Sequence, residues 1–351
     1  MYQRITRNVS TAPQLYINGR FLCCKATGVQ KYAIGLANAL QKLYPDALII
    51  LPVGDYNCYG LNVIKSGWGS GFFWEQYWLP LYLWFHSRPL LINLCNTAPL
   101  LYKKQIVTVH DLAFLKDKKW FSPAFKRWYT YLIPRLCKRA LAVITVSEFI
   151  KKEIENTYSI SSQKINVAPN SIPDMEFDEQ KPFPFHYLFL TGIYNERKNA
   201  DFVISLLPEL KKKNYHIVGV GVSAAIYGKK EFMHDENLHI LEYVDEKYYY
   251  TLMRHADALV FPSTYEGFGI PVLEALCLGT TAIVPDIPVY RESYGEMPVY
   301  YNVSDAESFL KALEKINIHK PSQKDLSLLK NKYNFTKSAD ILFEIIKPKL
   351  R

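Results

Sequence analysis

Short apolar runs alternate along this chain with longer amphipathic stretches, and the alternation occurs twice. In the first half, Leu15–Ile17, Ala47–Pro52, Leu90–Leu94, Gln105–Val109 and Leu141–Val146 read as strands. Their apolar runs are nearly continuous, as expected of strands buried on both faces. Between them lie an amphipathic helix, Lys31–Leu43, and a basic, aromatic helix, Ser122–Arg139. Pro173–Phe185 then breaks the pattern with proline and acid and has no helical or strand period, which predicts a linker. A second alternation begins at Tyr187–Thr191, continues through a helix to about Lys213 and strands Tyr215–Val220 and Leu238–Tyr243, and reaches a helix capped by Asp245. Strands Ala258–Phe261 and Ala282–Val284 follow, and an amphipathic helix, Thr336–Lys347, stops at Pro348. Two such runs predict an α/β protein with two Rossmann-like, doubly wound domains facing each other across a cleft. The expected boundaries are 1–172, a linker at 173–186, 187–334, and a C-terminal helical segment at 335–351.

The stretch Phe261–Gly279, FPSTYEGFGIPVLEALCLG, concentrates the chemistry. A buried strand turns through Gly267 and Gly269 into a helix with Pro271 in its first turn. Glycines let a ligand approach the backbone closely, and the free N–H groups at the helix start suit a phosphate or a sugar hydroxyl. Glu266 precedes the turn and Glu274 stands eight residues on, inside the helix. One acid in a first turn can simply complement the helix dipole; two that frame Gly267-Phe268-Gly269 are more specific. His110 follows the apolar run Gln105–Val109, so it sits at a strand's carboxyl end, where open α/β sheets bind ligands. Taken alone, such a histidine is more often a hydrogen-bonded structural residue.

Composition sharpens this picture at three points. No run of the 351 residues approaches the length of a membrane-spanning helix, and MYQRITRNVS lacks the apolar core of a secretory signal. The six cysteines show no metal spacing, so reduced thiols in a cytoplasmic protein are expected. The net charge of +9 is local: Leu101–Lys152 holds twelve Lys or Arg against three acids, an excess equal to that of the whole chain. Such a run reads either as a solvated face or as a surface for an anionic membrane. Residues 67–89 are unusually aromatic, either as a buried helix pair or as a face for lipid or a sugar acceptor.

Glu266 and Glu274 in this spacing resemble the E-x7-E motif of retaining nucleotide-sugar glycosyltransferases of family 4, whose architecture is GT-B. The resemblance extends to TGVQKYA around Gly28, TVHDL around His110, VSEFI, NVAPNSI, Glu196-Arg197-Lys198-Asn199 and VPDIPVYRE. It implies that Glu266 and His110 hold the transferring sugar. Glu274 binds the ribose, and Arg197, Lys198 and the backbone at Gly267, Phe268 and Gly269 meet the diphosphate. Gly28 faces the donor phosphate, Tyr243 and Val244 lie near the base, and the C-terminal helix crosses back to the first domain. The chain departs from the family at Ile193, which stands where arginine is usual, and lacks its C-terminal tryptophan. GDP-mannose is the first expectation for the donor, and a glycan or lipid-linked glycan of a surface polysaccharide for the acceptor. No D-x-D triplet occurs, so neither a metal nor another cofactor is expected. Peripheral attachment to the inner face of the cytoplasmic membrane is expected, and nucleic acid is not an expected partner. An epimerase or phosphorylase of the same architecture and a non-enzymatic basic binding protein remain the alternatives.

Overall fold

The computed structural model describes residues 14–24, 27–117, 119–221 and 232–350; Lys118 of the basic segment lies outside them. Two compact units emerge, one from the described residues of Met1–Thr108, Ile133–Ile144 and Ala339–Arg351, the other from those of Val109–Leu132 and Thr145–Ser338. Residues 171–186 carry neither helix nor strand.

The first sheet is built from β1 (Leu15–Asn18), β2 (Leu48–Leu51), β3 (Val63–Lys65), β4 (Leu90–Asn93), β5 (Gln105–Thr108), β6 (Ala142–Thr145) and β7 (Ile165–Val167). Its order is β3-β2-β1-β4-β5-β6-β7, and β1 pairs in parallel with both β2 and β4. Strands β1, β4, β5 and β6 are buried at every residue, which explains why each reads as an unbroken apolar run. The second sheet contains β8 (Tyr187–Thr191), β9 (His216–Val220), β10 (Leu238–Leu241), β11 (Ala258–Val260), β12 (Thr281–Pro285) and β13 (Val299–Tyr301), in the order β10-β9-β8-β11-β12-β13. Strand order therefore reverses between β1 and β4 in one sheet and between β8 and β11 in the other. Both are the crevices where doubly wound sheets bind ligands.

Strands β3 and β13 are absent from the sequence expectation, β7 falls at the start of the NVAPNSI resemblance, and the first helix begins earlier than expected, at Gly28. Thr27 starts it with a capping box, its backbone N–H donating to Gln30 Oε1 at 3.1 Å. The aromatic segment differs more. Instead of a buried helix pair, Gly71–Phe85 is one helical run: a short α turn, a π turn at Trp74–Trp78 and an α-helix from Leu79. Among the described residues one side is covered, by a cluster in which Trp74, Leu79 and Leu83 pack with Tyr16, Ile50, Leu91 and Tyr102. Each such side chain contributes about 1.5–3 kcal/mol on full burial. The π turn also carries Glu75 inward, where Arg20 at 2.7 Å and the Asn18 amide at 3.0 Å hold its carboxylate.

Candidate active site

Four segments of the second unit converge around Glu266. The chain leaves β11, passes Ser263 and Tyr265, and enters the Ile270–Cys277 helix through Gly267, Phe268 and Gly269. Gly267 has no room for a side chain: an added Cβ would lie 2.1 Å from the His110 carbonyl oxygen. Gly269 has φ +86, and a Cβ there would lie 2.6 Å from the Tyr290 ring. The turn thus needs glycine once for space and once for both space and conformation. Ser147 locks it further, its hydroxyl donating to the Gly267 carbonyl at 2.8 Å while capping its own helix at Ile150.

Across the reversal point, β8 delivers Arg197 and Lys198 on a short 3-10 turn, Glu196–Lys198, capped by the Asn195 side chain. Arg197 Nη1 lies 3.0 Å from Glu266 Oε2 and donates to the Tyr265 carbonyl at 3.0 Å. Lys198 Nζ reaches Glu266 Oε1 at 2.6 Å and stands 4.4 Å from the centre of the Phe261 ring. The Ser263 hydroxyl donates to the same Oε1 at 2.6 Å. Burial alone would raise the Glu266 pKa, but the adjacent Arg197 and Lys198 outweigh it and hold the carboxyl at about 2. Lys198 behaves differently, because its enclosure is only partly offset by Glu266 and is reinforced by neighbouring Arg197; it is pulled down to about 8. Burial would lower the Arg197 pKa too, yet Glu266 and then Asp111 keep it raised and the guanidinium charged. Glu266 is therefore an ionised carboxylate with both oxygens occupied by cations.

Two family models divide the chain between them: "Glycosyltransferase Family 4" matches residues 26–176 and "Glycosyl transferases group 1" matches residues 172–332. The chain is a glycosyltransferase of this type. Among curated relatives, the O-antigen chain mannosyltransferase RfbU of Salmonella typhimurium is 29% identical over 258 residues, 69% of this chain and 69% of that protein. The O-antigen biosynthesis glycosyltransferase WclY of Escherichia coli is 24% identical over 272 residues, 71% of this chain and 73% of its own length. Among solved structures, HepE from Anabaena in complex with UDP and glucose superposes with a TM-score of 0.70, covering 96% of this chain and 99% of that one at 12% identity. That likeness gives the fold, GT-B with two Rossmann-like sheets.

In the glycosyltransferase, His110, Arg197, Lys198, Glu266, Gly267 and Gly269 meet at one place. His110 is buried beyond the end of β5, its carbonyl oxygen against Gly267. Glu274 is buried within the Ile270–Cys277 helix, where the Tyr250 hydroxyl donates to its Oε1 at 3.0 Å. Phe268 contributes backbone only, because its ring is buried edge-on against Tyr294 and Tyr333. Tyr243 and Val244 follow β10 in a loop, with Tyr243 78% exposed. Gly28 is the first residue of its helix, in the other unit.

The sequence did not reveal the support around these groups. Tyr265 accepts from the Leu112 N–H at 3.0 Å and donates to Glu153 at 2.5 Å, and Glu153 in turn binds Lys116. Tyr290 lies fully buried beneath Gly269, its hydroxyl without a hydrogen-bond partner among the described residues. Only the position of Ser147, inside VSEFI, carried a signal that could have found it.

Proposed function

We propose that this glycosyltransferase moves a sugar, with GDP-mannose as the first donor to test, from a nucleotide diphosphate to a glycan or lipid-linked glycan in surface polysaccharide synthesis, with retention of anomeric configuration. The observation that carries this is the buried Glu266 carboxylate clamped between Arg197 and Lys198 at the start of the Ile270–Cys277 helix. An incoming diphosphate competes for both cations. Arg197 and Lys198 then take the charge of the departing group together with the backbone N–H groups at the helix start, and Glu266 is released to accept from sugar hydroxyls. His110 is assigned to the same sugar, as the family resemblance suggests. Glu274 accepts from the ribose, Tyr243 and Val244 lie near the base, and Gly28 offers its backbone to the donor phosphate, as the family resemblance suggests.

The two cations take the role that other transferases give to a divalent ion, so no metal is required. The names of RfbU and WclY support the polysaccharide and mannosyl parts of the reading. The excess of cations between Leu101 and Lys152 supports work at an anionic membrane surface, where a lipid-linked acceptor resides. The test is transfer from a panel of nucleotide sugars in the presence of candidate acceptor lipids. Release of nucleoside diphosphate from GDP-mannose, with an α-linked product, is the expected result; turnover of only a different sugar nucleotide would replace the donor.

A further inference from the structure

The first unit carries an aromatic surface that the site does not use. On the helical run Gly71–Phe85, the side opposite Trp74, Leu79 and Leu83 presents Phe73, Tyr77, Leu81, Trp84 and Phe85 to solvent, and Trp68 precedes them. Their spacing of four, four and then three to four residues keeps them along one side of the run. Tyr77 is 59% exposed and Phe85 81%, far beyond an incidental surface aromatic. Phe73 also touches both Trp68 and Tyr77, with ring centres 6.3 and 5.2 Å apart, so these three rings form one continuous strip.

Charge identifies what covers it. Glu75 is the one acid in the sequence between Asp55 and Asp111, and it is buried on the opposite side and bound by Arg20. The exposed side therefore has no negative charge from its own segment, while exposed Lys65, whose ammonium donates to the Gly54 carbonyl, and exposed Arg88 flank the run in sequence. Trp and Tyr with Phe and Leu, free of acid and flanked by cations, match the boundary between lipid headgroups and acyl chains. The basic helix Pro123–Arg139 fits that boundary less well, because its Phe125 and Tyr129 are half-buried and stacked on each other at 3.9 Å, with Phe125 also stacked on Phe121.

We infer that the aromatic side of Gly71–Phe85 inserts into the headgroup region of an anionic membrane and holds the first unit there. This rests on the reading that the acceptor is membrane-borne, and it deepens that reading by naming the contact and its mode. Cations draw the protein to the surface; the aromatic side chains hold it by burial, which salt does not screen.

Flotation with phosphatidylcholine vesicles, and with vesicles of phosphatidylcholine and phosphatidylglycerol in equal parts, tests this on the full chain. Wild type is expected to float with the mixed vesicles and to stay bound when salt shortens the Debye length to a few ångströms. The triple variant Tyr77→Ser, Trp84→Ser, Phe85→Ser is expected to bind about tenfold more weakly or less, with an unchanged unfolding midpoint and unchanged donor hydrolysis. Three results overturn the inference: a triple variant that floats like wild type, release of wild type by salt alone, or a dimer in sedimentation that the triple variant dissociates. Vesicle binding and sugar transfer are read separately. Failure of binding with transfer intact removes only this contact, and binding without transfer removes only the enzymatic reading.

Discussion

At the scale of single residues, the two glutamates should be separable by kinetics. If Glu274 binds the ribose in ground and transition states alike, as proposed, Glu274→Ala should mainly raise the donor KM, whereas Glu266→Ala should mainly lower kcat, by about 100-fold. Wild-type constants in either variant would remove that residue's role. Lys198 adds a pH signature. With its pKa pulled down to about 8 by burial, it loses its proton just above neutrality. Donor kcat/KM should be level below about 8 and fall above it, and Lys198→Arg should move that fall upward out of the accessible range. A profile unchanged by Lys198→Arg would assign the limb to another group. Glu266 links to stability with the opposite sense. Its folded pKa of about 2 lies below the ordinary 4.5, so its stabilisation is complete above 4.5 and is lost as pH falls toward 2. Glu266→Gln should cost about 3 kcal/mol at neutral pH in urea denaturation, and the gap to wild type should narrow below pH 4.5.

At the scale of elements, the turn into the Ile270–Cys277 helix is where sequence and structure agree best. Gly267 and Gly269 are legible as a tight turn because they stand between a buried strand and an apolar helix. The structure supplies the neighbours, the His110 carbonyl and the Tyr290 ring, which no local pattern encodes. Gly267→Ala and Gly269→Ala should each cost about 2–3 kcal/mol, because rigid atoms must shift. Gly295→Ala also has positive φ but nothing within 4 Å, and should cost about 1 kcal/mol. Equal costs at Gly269 and Gly295 would show that conformation alone matters at Gly269. Less was legible elsewhere. Strand β13 spans three residues, Val299-Tyr300-Tyr301, too few to establish a period of two. The π turn at Trp74–Trp78 adds a residue that ordinary helical periodicity does not anticipate. Its aromatic residues therefore looked like core, although a single covering side leaves half of them in solvent. Tyr265, Tyr250 and Glu153 were invisible for another reason: their partners are distant in sequence.

At the scale of the whole molecule, the alternation of strands and helices was enough to imply two Rossmann-like sheets, and both are present, each reversing its order at one point. The basic segment Leu101–Lys152 accounts for the entire excess of +9, yet the cations proposed for the diphosphate, Arg197 and Lys198, both lie outside it. Among the described residues no helix is long and apolar enough to cross a membrane. If Arg197 and Lys198 carry the departing charge, turnover should persist in excess EDTA. Loss on chelation with rescue by magnesium or manganese would transfer that role to an ion. The most direct measurement is release of nucleoside diphosphate from a panel of nucleotide sugars in EDTA, by wild type and by the Arg197→Ala, Lys198→Ala double variant. Wild type should turn over at least one donor, and the double variant should lose 1,000-fold or roughly so in kcat/KM while keeping its fold. Wild-type silence across the panel, or a double variant as active as wild type, would contradict the assignment of the clamped Glu266 site to sugar transfer.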